Sequence, residues 1–425
     1  MVDQLSSYRK YVRRIRGLLL FTGLWPSRKW AGSAYRFIPF INGIVCFSLS
    51  CAVLSFCGDQ FNNLELLTKG FGIVGSYWTA VLKVLCFRIN HKELVDLHRT
   101  LEKYFEESLS NDKIRKQIFD PLTIFVVPFY ALTILLFIST LAFFIAPVIL
   151  VCVQLSNGIY PVKYLLPNPG KYPYSFEGGS LVYYVHYAWQ MLAATYLLCL
   201  TSGVDSLFGY YVFQMHAIFQ LMNHRMNNLG LADQDNGSIV RECVKMYQML
   251  AKCRDHLQLI YGPIVFWIFL TSAIILCSQI FQASQTGQLT VGRAVLFVTY
   301  FALKLLQALM YAWYGSVIVT EVGKLKKLIL FFCPIKQRFW SLVFCSEILF
   351  ANEKQSEKFR DAVYCCDWPG SGDKSLMNDV LIMMCNKPLG ITACKFLIIS
   401  TNMFTTIINT TMSYFFLLQT LDEAN

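Results

Sequence analysis

The chain has 425 residues, of which 55% are apolar and 15% aromatic, and its mean hydropathy is +0.46. Only 15% of its residues are charged, against about 25% in soluble domains, which excludes an ordinary soluble protein and identifies a polytopic membrane protein. The formal net charge of +11 is therefore a topology signal first, and no nucleic-acid partner is read from it.

The N-terminal stretch interleaves Arg9, Lys10, Arg13, Arg14 and Arg16 with Tyr8, Val12, Ile15 and Leu19. That spacing predicts a short amphipathic helix on the inner membrane surface. The apolar stretch Leu18–Trp25 is short and meets Pro26, Arg28 and Lys29, which argues against a signal peptide. Seven apolar runs follow, at 37–57, 69–88, 122–153, 181–211, 258–281, 291–314 and 395–421. They predict an all-α membrane protein with seven transmembrane helices. The third and fourth exceed the bilayer thickness and should tilt or project beyond it. Pro128 and Pro147 are expected to kink the third.

Lys and Arg divide 29 to 2 between the two sets of connecting segments. The positive-inside rule then places the N-terminus in the cytosol and the C-terminus outside. The fifteen cysteines show no CxxC pair and no metal-ligand spacing, so most are read as free thiols. Cys57 and Cys152 both fall near the expected outer face, which leaves a disulfide between them open. Lys83, Asp205 and Lys304 are the charges deepest within spans, read as snorkelling or mutually paired.

The last run, KFLIISTNMFTTIINTTMSYFFLLQTL, is long enough to cross a bilayer. It nevertheless carries Ser400, Thr401, Asn402, Thr405, Thr406, Asn409, Thr410, Thr411 and Ser413. Buried polar groups need partners or water. One face should therefore meet protein or an aqueous path; tight packing through small polar residues and lining of a pore or cavity both remain open. The six histidines are scattered, HExxH is absent and no Gly-rich phosphate loop appears. The chain is accordingly read as no enzyme, with no cofactor and no metal. The inverted topology, and the lack of an Asp/Glu-Arg-Tyr triplet or an Asn-Pro-x-x-Tyr, argue against a G-protein-coupled receptor. No internal repeat supports a transporter.

Three stretches together resemble the insect odorant receptor family: LLLFTGLWP (Leu18–Pro26), AVYCCDW (Ala362–Trp368) and SYFFLL (Ser413–Leu418). The related gustatory receptors end in Thr-Tyr…Gln-Phe, whereas here Thr420 follows Gln419, which favours the odorant branch. The resemblance implies an odorant-gated non-selective cation channel subunit in the plasma membrane of an olfactory neuron dendrite. Its partners would be an odorant receptor co-receptor, in a heterotetramer, a small hydrophobic volatile ligand and membrane lipid. The alternative is a gustatory-type channel forming homotetramers; a G-protein-coupled receptor or a transporter is more remote.

By the same resemblance, four copies of the last helix surround the pore, with Leu417, Thr420 and Leu421 at a gate that apolar rings close by dewetting. The implied ligand pocket lies in the outer half of the second, third, fourth and sixth spans. Those halves carry Val74, Tyr77, Trp78, Phe137, Leu141, Phe144, Tyr184, Tyr187, Met191, Phe297 and Tyr300. Aromatic and Met side chains there would offer adaptable apolar contacts. The Pro- and Tyr-rich segment 154–180 is a candidate lid.

The domain plan that follows is a cytosolic amphipathic segment at 1–36, six transmembrane helices with the pocket at 37–314, a cytosolic anchor at 315–394, and the pore helix with a short external tail at 395–425. In the anchor, Ser356–Tyr364 and Lys374–Cys385 read as helices. The anchor also departs from the family pattern. Deleting residues 322–355 joins WYGSVIVTE to SEKFRDAVYCCDW and restores the family's spacing and its Glu-Ser pair. This segment is expected to be a retained intron translated in frame, or an inserted loop.

Overall fold

The computed structural model describes residues 2–26, 34–60, 64–110, 112–174, 176–227, 236–285, 291–331, 390–394 and 397–423. Helix α1 (Val2–Phe21) and a short 3-10 turn (Ala34–Phe37) precede α2 (Ile38–Asp59), α3 (Leu64–Ile89), α4 (His91–Leu109), α5 (Asp112–Phe119) and α6 (Leu122–Ser156). Then come α7 (Leu181–Asn227), α8 (Asn236–Gln285) and α9 (Val291–Phe331), a two-rung hairpin β1 (Thr392–Ala393) and β2 (Leu397–Ile398), and α10 (Thr401–Glu423). Six of these helices, α2, α3, α6, α7, α8 and α9, are long and apolar enough to cross a membrane. With α10 as the seventh, the all-α reading stands. The chain is a multi-pass membrane protein.

Several boundaries differ from the sequence reading. Helices α7 and α8 run for 47 and 50 residues, about 70 and 75 Å at 1.5 Å per residue, so each projects far past a bilayer. The segments between the predicted fourth and fifth spans are thus helical extensions for much of their length. Helix α6 carries Pro128 and Pro147 within one unbroken helix. Helix α9 continues without interruption to Phe331, so the first residues of the 322–355 segment extend the sixth span. The rest of that segment, Ser356–Tyr364 and Lys374–Cys385 lie outside the described residues. Cys57 and Cys152 are both free thiols, Cys57 buried and Cys152 exposed, so no disulfide joins them.

Helix α7 is the axis of the bundle. It touches α1, α2, α3, α4, α5, α6, α8 and α9. Its stretch from Leu200 to Phe219 is buried on every side, as expected for a helix apolar all round. The stretch also buries Thr201, Ser202, Ser206, Gln214 and His216, and its one carboxylate is Asp205. One of its oxygens meets Lys83 Nζ of α3 at 2.6 Å and accepts from the Tyr311 hydroxyl of α9 at 2.6 Å. The other accepts from Gln307 Nε2 of α9 at 2.7 Å. Lys304, also buried, lies 5.6 Å from the centre of the Tyr300 ring. Burying a carboxylate costs several kcal/mol unless it is paired and hydrogen-bonded, so this cluster fixes the register of α3 and α9 against α7. Of the three deep charges, Lys83 and Asp205 are thus mutually paired, while Lys304 lies over the Tyr300 ring; all three are buried, so none of them snorkels.

At the end of the bundle that carries α1, α4 and α5, the same hydrophobic core continues. Helix α1 buries Tyr8, Tyr11, Ile15 and Leu19, so Tyr11, rather than the expected Val12, completes the stripe. This stripe faces protein instead of a membrane surface. Tyr11 donates its hydroxyl proton to the Ser206 carbonyl of α7 at 3.2 Å, and Leu19 fits over Gly203. Helix α4 adds Leu94, Leu97, Leu101 and Phe105 at helical spacing. His98 is buried beside them. Its ring packs edge-on against Trp25 at 5.0 Å and lies 3.7 Å from the Glu102 carboxylate. Burial, reinforced by the Arg16 guanidinium, pushes its pKa down to about 4, so loss of hydration outweighs the nearby carboxylate.

The hairpin seats the last helix on α8 and α9. Ile399 N donates to the Ile391 carbonyl at 2.9 Å, and Thr392 N donates to Gln258 Oε1 of α8 at 3.4 Å. Thr401 N, at the start of α10, donates to Ser316 Oγ of α9 at 2.8 Å. Two glycines make the approach possible. A Cβ at Gly315 would collide with the Ile399 carbonyl oxygen, and one at Gly262 would press on Cys394 N at 3.2 Å. The sequence reading ran the seventh helix from residue 395. It begins instead at Thr401, because Leu397 and Ile398 pair with β1.

Three outcomes are expected from detergent-purified protein. Lys83→Met should destabilise the fold by about 3–5 kcal/mol by leaving Asp205 short of its cation, and Lys83→Met with Asp205→Leu should recover most of the loss in thermal unfolding. Gly315→Ala should cost about 1–3 kcal/mol through overpacking, while Gly17→Ala, whose Cβ meets nothing within 4 Å, should not destabilise. For His98 the unfolded chain takes up the proton more readily than the folded one. Its contribution is intact above the ordinary histidine pKa of about 6.5 and is lost as pH falls toward about 4, by up to ~3 kcal/mol. The unfolding midpoint should therefore drop from about pH 7 to about pH 5 more in the native chain than in His98→Gln.

Candidate functional site

The eleven side chains expected around a ligand all lie at the end of the bundle opposite α1, near the segment that joins α6 to α7. The structure sorts them into three groups. Val74 and Tyr77 are buried; Phe144, Tyr187, Met191, Phe297 and Tyr300 are half-buried; Trp78, Phe137, Leu141 and Tyr184 are exposed on the single chain. Val74 packs against Val53 and Cys57. Trp78 meets Phe47 edge-on at 5.8 Å, and Phe297 stacks on Phe301 at 6.0 Å.

Two of the tyrosines tie helices together. Tyr187 of α7 donates to the Phe144 carbonyl of α6, joining two of the expected residues. Tyr300 of α9 bonds to the Gly72 carbonyl at 3.0 Å and to Ser76 Oγ at 2.8 Å, both on α3. A small polar patch thus sits where α3 meets α9, one helical turn beyond Lys304. Val74 and Tyr77 share that part of α3, whereas Phe137, Leu141 and Tyr184 lie on the outer surface of the single chain.

Sequence reasoning missed the lattice that holds the connecting segment down. Gln190 of α7 is fully buried. Its Oε1 accepts from Asn168 N at 2.7 Å, and its Nε2 donates to the Asn168 carbonyl at 3.3 Å and the Tyr172 hydroxyl at 3.0 Å. Asn168 Nδ2 reaches Tyr77 Oη at 3.4 Å. Lys171 N donates to the Ala52 carbonyl at 3.0 Å, and Lys171 Nζ pairs with Asp59 at 2.7 Å. The signal was present in Gln190, an amide inside an apolar span, which requires partners.

The last helix presents the second candidate feature. Ile407 and Thr411 are buried, while Asn402, Thr405, Thr406, Asn409 and Ser413 are exposed. These exposed positions recur every three or four residues and form one stripe. The hydroxyl protons are returned to the helix itself. Thr405 and Thr406 donate to the Asn402 carbonyl at 2.8 and 3.0 Å, and Ser413 donates to Asn409 at 3.0 Å. The side-chain oxygens keep lone pairs toward the open face. Leu417, Thr420 and Leu421 continue the helix, but their side chains lie outside the described residues.

Residues 63–330 match the family model described as 7tm Odorant receptor. Odorant receptor 82a of Drosophila melanogaster is 23% identical over 286 residues, covering 65% of this chain and 73% of that protein. Odorant receptor 13a of the same organism is 21% identical over 275 residues, covering 60% and 58%. Among solved structures, the insect olfactory receptor OR5 from Machilis hrabei superposes with a TM-score of 0.67 at 15% identity, covering 98% of this chain and 99% of that one. The same receptor in complex with eugenol gives 0.64 at 16% identity, covering 99% and 100%. The fold of nearly the whole chain is thus that of a solved receptor, and the family match spans more than half of the sequence: the chain belongs to the seven-transmembrane odorant receptor family.

Proposed function

We propose that this odorant receptor is a subunit of an odorant-gated, non-selective cation channel that assembles with a co-receptor into a heterotetramer. The observation that carries the reading is the polar stripe of α10, from Asn402 to Ser413, which faces away from its own bundle. Oxygen lone pairs and amides along one helix face suit partly hydrated cations, and hydrocarbon would penalise them. Four such helices would bring the stripes together around a pore. Leu417 and Leu421, with Thr420 beside them, would form its apolar constriction.

The 29-to-2 division of basic residues supports a cytosolic N-terminus and an external C-terminus. In that orientation α1, α4 and α5 stand in the cytosol, and the segment around Asn168 covers the external end. The eleven named side chains, centred on Val74, Tyr77 and Tyr300, are the proposed ligand contacts, with the stitched outer segment as their lid. The solved relative described with eugenol makes a small hydrophobic molecule the fitting ligand class. The segment 315–394 serves as the cytosolic anchor between subunits, in which residues 322–355 interrupt the family's spacing.

Whole-cell recording in cells expressing the chain with a co-receptor tests this reading. Odorants should evoke a cation current. Asn409→Leu should lower it several-fold at equal surface expression, with the half-maximal odorant concentration little changed, because the substitution alters the conduction path and leaves the pocket intact. Deleting residues 322–355 should raise the current if that segment is a retained intron. Silence of both forms at confirmed surface expression over a broad odorant panel would overturn the channel reading, and full current without co-receptor would replace it with the homotetramer.

A further inference from the structure

A cleft of about 610 Å³ opens between α2, the start of α7 and the segment that joins α6 to α7. None of the eleven proposed ligand contacts lines it. Its size falls within the usual range of about 300–1,000 Å³ for small-molecule sites. Along α7 it extends from Leu181 to Trp189, a rise of about 12 Å.

The lining is apolar along its length and polar at chosen points. Leu49, Val182 and Val185 supply aliphatic walls, and Trp189 supplies an indole. At the end nearer the connecting segment, His186 Nε2 and the Tyr174 hydroxyl are hydrogen-bonded at 2.7 Å. The imidazole is held in place by Tyr172, 4.3 Å away, and by Phe176, nearly parallel at 5.1 Å. Along α2, Ser48, Cys51 and Ser55 share one stripe toward the cleft. Ser48 returns its proton to the Val45 carbonyl at 2.9 Å, which leaves its oxygen free to accept.

The walls are braced before anything binds. Lys171 N is bonded to the Ala52 carbonyl of α2 at 3.0 Å, and Tyr172 accepts from the buried Gln190 at 3.0 Å. A wall already fixed loses little entropy when a ligand arrives. The lining cation, Lys171, is engaged by Asp59 at 2.7 Å, so the cleft favours no anion.

We propose that this cleft is a second binding site, for a small neutral amphiphile with one hydroxyl or carbonyl head and an apolar body. The head meets the His186–Tyr174 pair, and the body lies along Val185 and Trp189. A free volatile molecule and the tail of a membrane lipid share much of this chemistry, and the proposal commits to the free molecule.

Cys51 lines the cleft and is an exposed free thiol, while Cys152 is an exposed free thiol outside it. The full chain, with co-receptor, is taken in membrane vesicles and treated with N-ethylmaleimide, and the alkylation rate at each cysteine is read by peptide mass spectrometry. Eugenol or 1-octanol should slow alkylation at Cys51 by about fivefold or more and leave Cys152 unchanged. His186→Leu should raise the eugenol concentration for half-protection by about tenfold, equivalent to 1.4 kcal/mol. Tyr174→Phe, which removes a single hydroxyl and keeps the ring, should shift it in the same direction and guards against misfolding of the first variant. No protection at Cys51, or equal protection at Cys152, would overturn the proposal. So would a Cys51 that is slow in vesicles without probe and fast after delipidation, the signature of a resident lipid tail. The readout is chemical labelling, so it holds or fails independently of the channel reading.

Discussion

Asp205 sits in the fully buried stretch of α7, and its charge must be answered where it stands. Lys83 answers it from α3, and Gln307 and Tyr311 answer it from α9. Apolar packing alone would let these helices slide or rotate with modest penalty, since lipid tails and leucines are nearly equivalent surroundings. A buried ion pair removes that freedom, because any other register strands a charge. The polar patch at Tyr300 and the orientation of α9 follow from this choice.

The last helix obeys a different rule. Its hydroxyls look extravagant for a membrane span until their protons are traced back to carbonyls of the same helix. What remains along the Asn402–Ser413 stripe is a row of acceptors and two amides, too polar for lipid, with Met412, Tyr414 and Phe416 exposed beside it. Its packing is correspondingly one-sided. Ile407 and Thr411 meet the bundle, and the opposite face is left for a neighbour or for water. In the proposed assembly this is the face that neighbouring subunits would enclose.

Much of this was readable in the residues. Seven apolar runs located the spans, the Lys83, Asp205 and Lys304 set suggested pairing, and the motifs Leu18–Pro26 and Ser413–Leu418 pointed to the family that the comparisons then established. Span ends were less legible. Helices α7 and α8 continue well past the apolar runs, because amphipathic periodicity carries them on with the same core, packed there against α1, α4 and α5, which hydropathy alone does not register. Val12 and Tyr11 could each have completed the α1 stripe, and the choice depends on Ser206 lying opposite. The hairpin at 392–398 was hidden for a similar reason. Leu397 and Ile398 read as more helix, while the notches that seat the hairpin, Gly262 and Gly315, lie some 80 to 130 residues away in sequence. Among the expected ligand residues, spacing alone could not separate inward Val74 and Tyr77 from outward Phe137 and Leu141, since α6 is apolar on every face.

The notch at Gly262 has a mechanical side. It stands next to Pro263, which withholds one rung of the hydrogen-bond ladder in the middle of a helix about 75 Å long. A rod bends most easily where a rung is missing and the backbone bears no side chain. In α8 that compliant point coincides with the seat of the hairpin that leads into α10. A bend of α8 at that point would act at the root of α10, where a small angular change in the long rod would become a displacement at the start of the short one.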